Sequence, residues 1–79
     1  NVKAVSAGWE HTCAVKRNNT AHCWGDNLNG QSDVPPNLGN VKAVSAGNYH
    51  SCAIKMADTV QCWGADDHGQ ATVPANLRP

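Results

Sequence analysis

The feature of this sequence that most constrains its fold is that it is written twice. Shifting it by 39 residues aligns NVKAVSAGWEHTCAVK, from Asn1, with NVKAVSAGNYHSCAIK, from Asn40, and no gap is needed. Comparing 1–39 with 40–78, 22 of 39 positions are identical, so the copy extends along the whole unit rather than over one motif. A copy of fixed length marks each unit as a structural module with fixed ends. Residues 1–39 and 40–79 are read as two such modules.

Within a module, VKAVSAG, HTCAVK and TAHCWG are short, rich in β-formers and separated by Gly, Asn or charged residues. A further extended piece, GQSDVP, runs into Pro35 and Pro36, which cannot donate to a ladder and end it. The unit therefore reads as three strands and a short fourth. A four-stranded unit of about 40 residues is the signature of a propeller blade. The expected fold is all-β: two four-stranded β-propeller blades of 39 residues, part of a larger ring or of a ring built by several chains.

The cysteines test this reading. Cys13 and Cys23 flank KRNNT, and in an antiparallel hairpin centred on Asn18 the facing residue numbers sum to 36. Val15 then faces Ala21 and Cys13 faces Cys23; in the second copy, centred on Ala57, Cys52 faces Cys62. Directly opposed residues lie about 4.5–5.5 Å apart at Cα, within disulfide range. Two disulfides are therefore expected, Cys13–Cys23 and Cys52–Cys62. Each closes a loop of about ten residues and contributes roughly 2–3 kcal/mol by chain entropy.

Two metal readings compete. His11, Cys13 and Cys23 offer three zinc ligands, repeated as His50, Cys52 and Cys62, but there is no CxxC pair and no fourth ligand in either copy. His22 adjoins Cys23 yet points to the opposite face of a strand, and its counterpart is Gln61. The loop DNLNGQ suggests calcium. With Gly30 at the sixth position of an EF-hand loop, however, Gly25 stands where the first carboxylate belongs and Pro36 where the Glu belongs. No metal and no cofactor is expected.

The invariant Trp, Gly and Gln of CWG…GQ behave instead as corner parts. Trp24 and Trp63 should fill the space between neighbouring sheets. The Gln31 amide should tie down loose backbone. His11 and His50 read as recurrent hydrogen-bonding residues, and Ser6 and Ser45 have no acid in the pattern to complete a triad. The chain is expected to be non-enzymatic.

Leu, Ile, Val and Phe total only 12 of 79 residues, a supply that suits small side chains packed between flat sheets better than a large core. Six basic residues balance six acidic ones, which argues against a nucleic-acid role. No apolar run approaches the roughly 20 residues that cross a bilayer, so no membrane insertion is expected. Four cysteines in so short a chain favour an oxidising compartment, and the expected location is secreted or extracellular.

The succession VSAG, H[TS]CA, CWG and GQ resembles the regulator of chromosome condensation repeat family, whose units follow a G-x-x-H-[TS] … W-G-x-N-x-x-G-Q plan. WGDN matches it, and WGAD departs by placing Asp66 where Asn is usual. The tails GQSDVP and GQATVP look most similar to those of the bacterial secreted β-lactamase inhibitors of that fold. The resemblance covers both units. It implies a seven-bladed, non-enzymatic propeller that presents loops to a partner. The paired cysteines depart from the family pattern and suit an extracellular variant, not the nuclear nucleotide-exchange or chromatin-binding members. Two blades cannot close a ring, so further blades are expected from a longer chain or from other copies of this one.

Comparison of the two units with each other separates scaffold from freedom. They differ at Trp9 and Glu10 against Asn48 and Tyr49, and between Asp26, Asn27 and the residues after them and the second copy's Asp66, Asp67 and His68. These are the candidate partner-binding residues, placed at strand ends where loops carry recognition. Trp9 and Tyr49 are the aromatic anchors that a protein contact, or in the alternative a lectin-type glycan contact, would use. Asn18-Asn19-Thr20 is an N-glycosylation sequon in the hairpin turn.

Overall fold

The computed structural model describes residues 2–66, 69, 71–74 and 77. They form six strands in two three-stranded antiparallel sheets: β1 (Val2–Ala7), β2 (His11–Lys16) and β3 (Ala21–Gly25), then β4 (Val41–Ala46), β5 (His50–Lys55) and β6 (Val60–Gly64). Each sheet is a meander in chain order, as expected for two propeller blades. No helix among the described residues is long and apolar enough to cross a membrane.

The hairpin register is the one the cysteines dictate: Cys13 faces Cys23 and Val15 faces Ala21, while Cys52 faces Cys62. Both pairs are disulfide-bonded, with Cα atoms 4.1 and 4.0 Å apart, closer than the expected spacing. The tip closes locally. Asn19 donates its N–H to Lys16 and Lys16 donates to Thr20, and Asn19 takes a left-handed conformation (φ 69°) that its short amide side chain tolerates. Asp58 repeats the conformation in the second blade (φ 68°).

The fourth strand expected over GQSDVP does not form. Asn27 and Gly30 instead accept backbone hydrogen bonds from Gly30 and Asp33 in two successive turns. The backbone there is committed to turns and to a contact with the next blade, so it has no ladder to offer a strand partner. Among the described residues each blade has three strands.

The core lies between the blades. Cys13, Val15 and Cys23 of the first sheet cluster with Leu38 of the connecting segment and with Val41, Ala53 and Trp63 of the second. Burying these side chains against a neighbouring sheet is the main favourable term for so small a unit.

Candidate functional site

The strands run so that the β1–β2 loop and the turn after β3 meet at one end of the first blade, where Asp26 N–H donates to Glu10 O (2.9 Å). The second blade repeats the arrangement through Ala65 N–H and Tyr49 O (2.9 Å). Hairpin tips lie at the opposite end. The structure therefore gathers Trp9, Glu10, Asn48 and Tyr49 at one end, on adjacent blades. Trp9 N–H donates to Gly47 O across the seam (3.4 Å), tying the two loops together. Trp9 is 66 % exposed, Tyr49 45 % and Leu28, in the neighbouring turn, 90 %.

Other candidates are engaged in building the corner. Asp26 Oδ2 accepts from the Gln31 amide (3.1 Å), whose Oε1 in turn accepts Asn29 N–H (2.9 Å). Asn27 Oδ1 accepts Ser32 N–H (2.8 Å). Asp66, one repeat later, accepts Ala71 N–H in the same position (2.8 Å) and also the Thr72 hydroxyl (2.6 Å). The Asn-to-Asp departure thus keeps the one property the corner uses, an acceptor oxygen. Asp67 and His68 lie outside the described residues. Asn18 is exposed at the hairpin tip, its Oδ1 accepting the Thr20 hydroxyl (2.6 Å).

The seam holds a second cluster that the sequence did not reveal as a unit. His11 Nε2 lies 2.9 Å from Ser51 Oγ, and Ser51 Oγ lies 2.8 Å from Gln31 O. The carbonyl can only accept, so the single Ser51 proton goes to Gln31 and His11 Nε2 must be the donor. Trp63 donates its indole N–H to the same carbonyl (2.9 Å). A Ser–His pair at this distance resembles a nucleophile and base. Here, however, Ser51 is fully buried, its proton is spent on a backbone carbonyl, and His11 Nδ1 is buried with no partner among the described residues to orient it. The cluster holds blades together.

The invariant G-x-x-H spacing follows from this packing. A Cβ on Gly8 would sit 2.6 Å from His11 Cε1 and 2.4 Å from Gly47 O, so only glycine lets the ring and the next blade approach.

Trp24 corrects the expectation for the tryptophans. Trp63 is buried against the first blade at 8 % exposure, but Trp24 is 49 % exposed and stacks on His22, with ring centroids 5.8 Å apart. The face that Trp63 turns to the first blade is the face that Trp24 turns to solvent. The other side is open too: Ile54 is exposed, whereas its counterpart Val15 is buried. Each blade surface has its complement one repeat away.

The model of the regulator of chromosome condensation (RCC1) repeat matches residues 2–31 and again 41–70, so both blades satisfy it. The chain belongs to the regulator of chromosome condensation repeat family. Solved propellers share its form. The ectodomain of the Arabidopsis thaliana receptor kinase ACR4 is 31 % identical with a TM-score of 0.71, over 81 % of this chain and 25 % of that one. The C-terminal domain of gp131 from bacteriophage phiKZ is 23 % identical with a TM-score of 0.77, over 99 % of this chain and 23 % of that one. Prp20p from Saccharomyces cerevisiae is 22 % identical with a TM-score of 0.75, over 99 % of this chain and 22 % of that one. This two-blade RCC1-repeat chain thus spans about a quarter of the length of the propellers it matches. Comparison with curated protein sequences returned no significant match.

Proposed function

We propose that this chain is a non-enzymatic, extracellular part of an RCC1-type propeller that binds a partner protein through the loop end of its blades. The observation that carries the reading is the exposure of Trp9, Leu28 and Tyr49 together at one end, with the loops of Trp9 and Tyr49 joined across the seam. Large apolar side chains in such a position are the anchors of protein contacts. Prp20p, a propeller of the same fold, is described by its binding to Gsp1p and histones, which supports protein recognition as a use of this scaffold. Two disulfides and the likeness to a receptor ectodomain support an extracellular setting. Further blades, from a longer chain or from other copies, cover the open faces at Trp24 and Ile54.

A photoreactive residue at Glu10, with Arg17 at the opposite end as control, tests this in the extracellular fluid of the source. One protein should cross-link from position 10 and not from 17, and Trp9→Ala should abolish the product. Selective retention of one sugar on a glycan array, lost in Trp9→Ala, would replace the protein reading with the lectin one.

A further inference from the structure

Taken as a sequence, the chain is neutral, and that neutrality argues against any polyanionic partner. The fold undoes the cancellation. Glu10, Asp26 and Asp66 fall at the loop end, where no Lys or Arg lies among the described residues. Lys3, Lys16, Arg17, Lys42 and Lys55 fall at the hairpin-tip end with Asp58, and Asp33 lies in the segment that runs from the loop end towards the tips beside Val34. Five cations thus outnumber the carboxylates near the tips, while the loop end holds only acids among the described charged residues, and the molecule is polar from end to end.

Two of these cations are occupied. Lys3 Nζ donates to Asn19 Oδ1, and Lys42 pairs with Asp58, the same clamp on each hairpin tip. The side chains of Lys16, Arg17 and Lys55 make no ion pair or hydrogen bond to a described residue. The placement is also periodic. Lys3 and Lys42 are equivalent, as are Lys16 and Lys55, so every blade of this pattern adds two lysines to the same end. Like charges gathered on one face build a potential that concentrates counter-charged ligands.

We propose that the hairpin-tip end is a docking face for an anionic polysaccharide, a chain carrying carboxylate or sulfate groups at short regular intervals. This face is opposite the loop end and does not depend on what the loops bind. Two observations favour polysaccharide over nucleic acid. Single-stranded nucleic acid binds through aromatic rings on which bases stack, and every Trp and the Tyr of this chain lie away from the tips. The two disulfides also belong to an oxidising compartment, where acidic polysaccharides are abundant.

Immobilised heparin serves as the sulfated probe and dextran as the uncharged control. The full chain should be held by heparin at low ionic strength, released as salt rises, and not held by dextran. Lys16→Gln/Arg17→Gln/Lys55→Gln should weaken heparin binding about 100-fold, and Glu10→Gln should leave it unchanged. The three substituted side chains lie outside the core, and an unaltered unfolding midpoint confirms that the variant is folded. Equal affinity of the triple variant and the parent overturns the proposal. So does tighter binding of charge-matched single-stranded DNA than of heparin, which assigns the face to nucleic acid.

Discussion

His11 of the first blade donates from Nε2 to Ser51 Oγ of the second at 2.9 Å, joining residues 40 positions apart in a site closed to water. The two belong to one repeated motif: Thr12 follows His11 as Ser51 follows His50. The histidine of one blade thus bonds the hydroxyl that stands beside the histidine of the next. A motif that looks local is in fact half of a contact between neighbours.

Ser51→Ala should destabilise the chain by about 1–3 kcal/mol, because it leaves His11 Nε2 unpaired and removes a donor from Gln31 O. Thr12→Ala, the equivalent change on the open face, should cost under about 0.5 kcal/mol. Urea unfolding of the two variants checks the difference.

The tryptophans predict a similar inequality. Trp63→Ala removes a buried ring and its bond to Gln31 O, and should cost about 3–5 kcal/mol. Trp24→Ala removes a half-exposed ring and should cost well under half of that. Thermal melting of the two single variants reads it directly, and equal losses would mean that the seam is not where this chain keeps its core.

Gly8→Ala should loosen the seam as much as Ser51→Ala does. The new methyl would stand 2.4 Å from Gly47 O and 2.6 Å from the His11 ring, so both blades must move to admit it. Amide exchange in β4 should accelerate, a change that a purely local strain at residue 8 would not produce.

Removal of one disulfide, as Cys13→Ala/Cys23→Ala, should cost about 2–3 kcal/mol from loop closure, with a further loss from the cavity because Cys13 is fully buried. Intact mass should lie four hydrogens below that of the reduced chain, since all four cysteines are paired.

The repeat supplies its own control for the corner. Asn27→Asp should be tolerated within about 0.5 kcal/mol, because Asp66 already performs the same task one blade later. Asn27→Ala, which leaves Ser32 N–H without its acceptor, should cost about 1 kcal/mol. Denaturant midpoints of the pair separate the two outcomes.

What could be read from the residues alone is short-range. The 39-residue period, the three strands of each blade, the hairpin register and both disulfides follow from spacings of a few residues, and those spacings decide local geometry wherever the unit sits. The fourth strand failed because reading GQSDVP as a short extended piece says nothing of where its backbone groups go, and turns and the next blade claimed them. Nor could composition show that a neutral chain is charged oppositely at its two ends, since that depends on strand direction. The tertiary structure alone decided which member of each equivalent pair is buried, Trp63 and not Trp24, Val15 and not Ile54. Like segments fold alike, but burial is set by what stands next to them, and a blade with one neighbour covers only one of its faces.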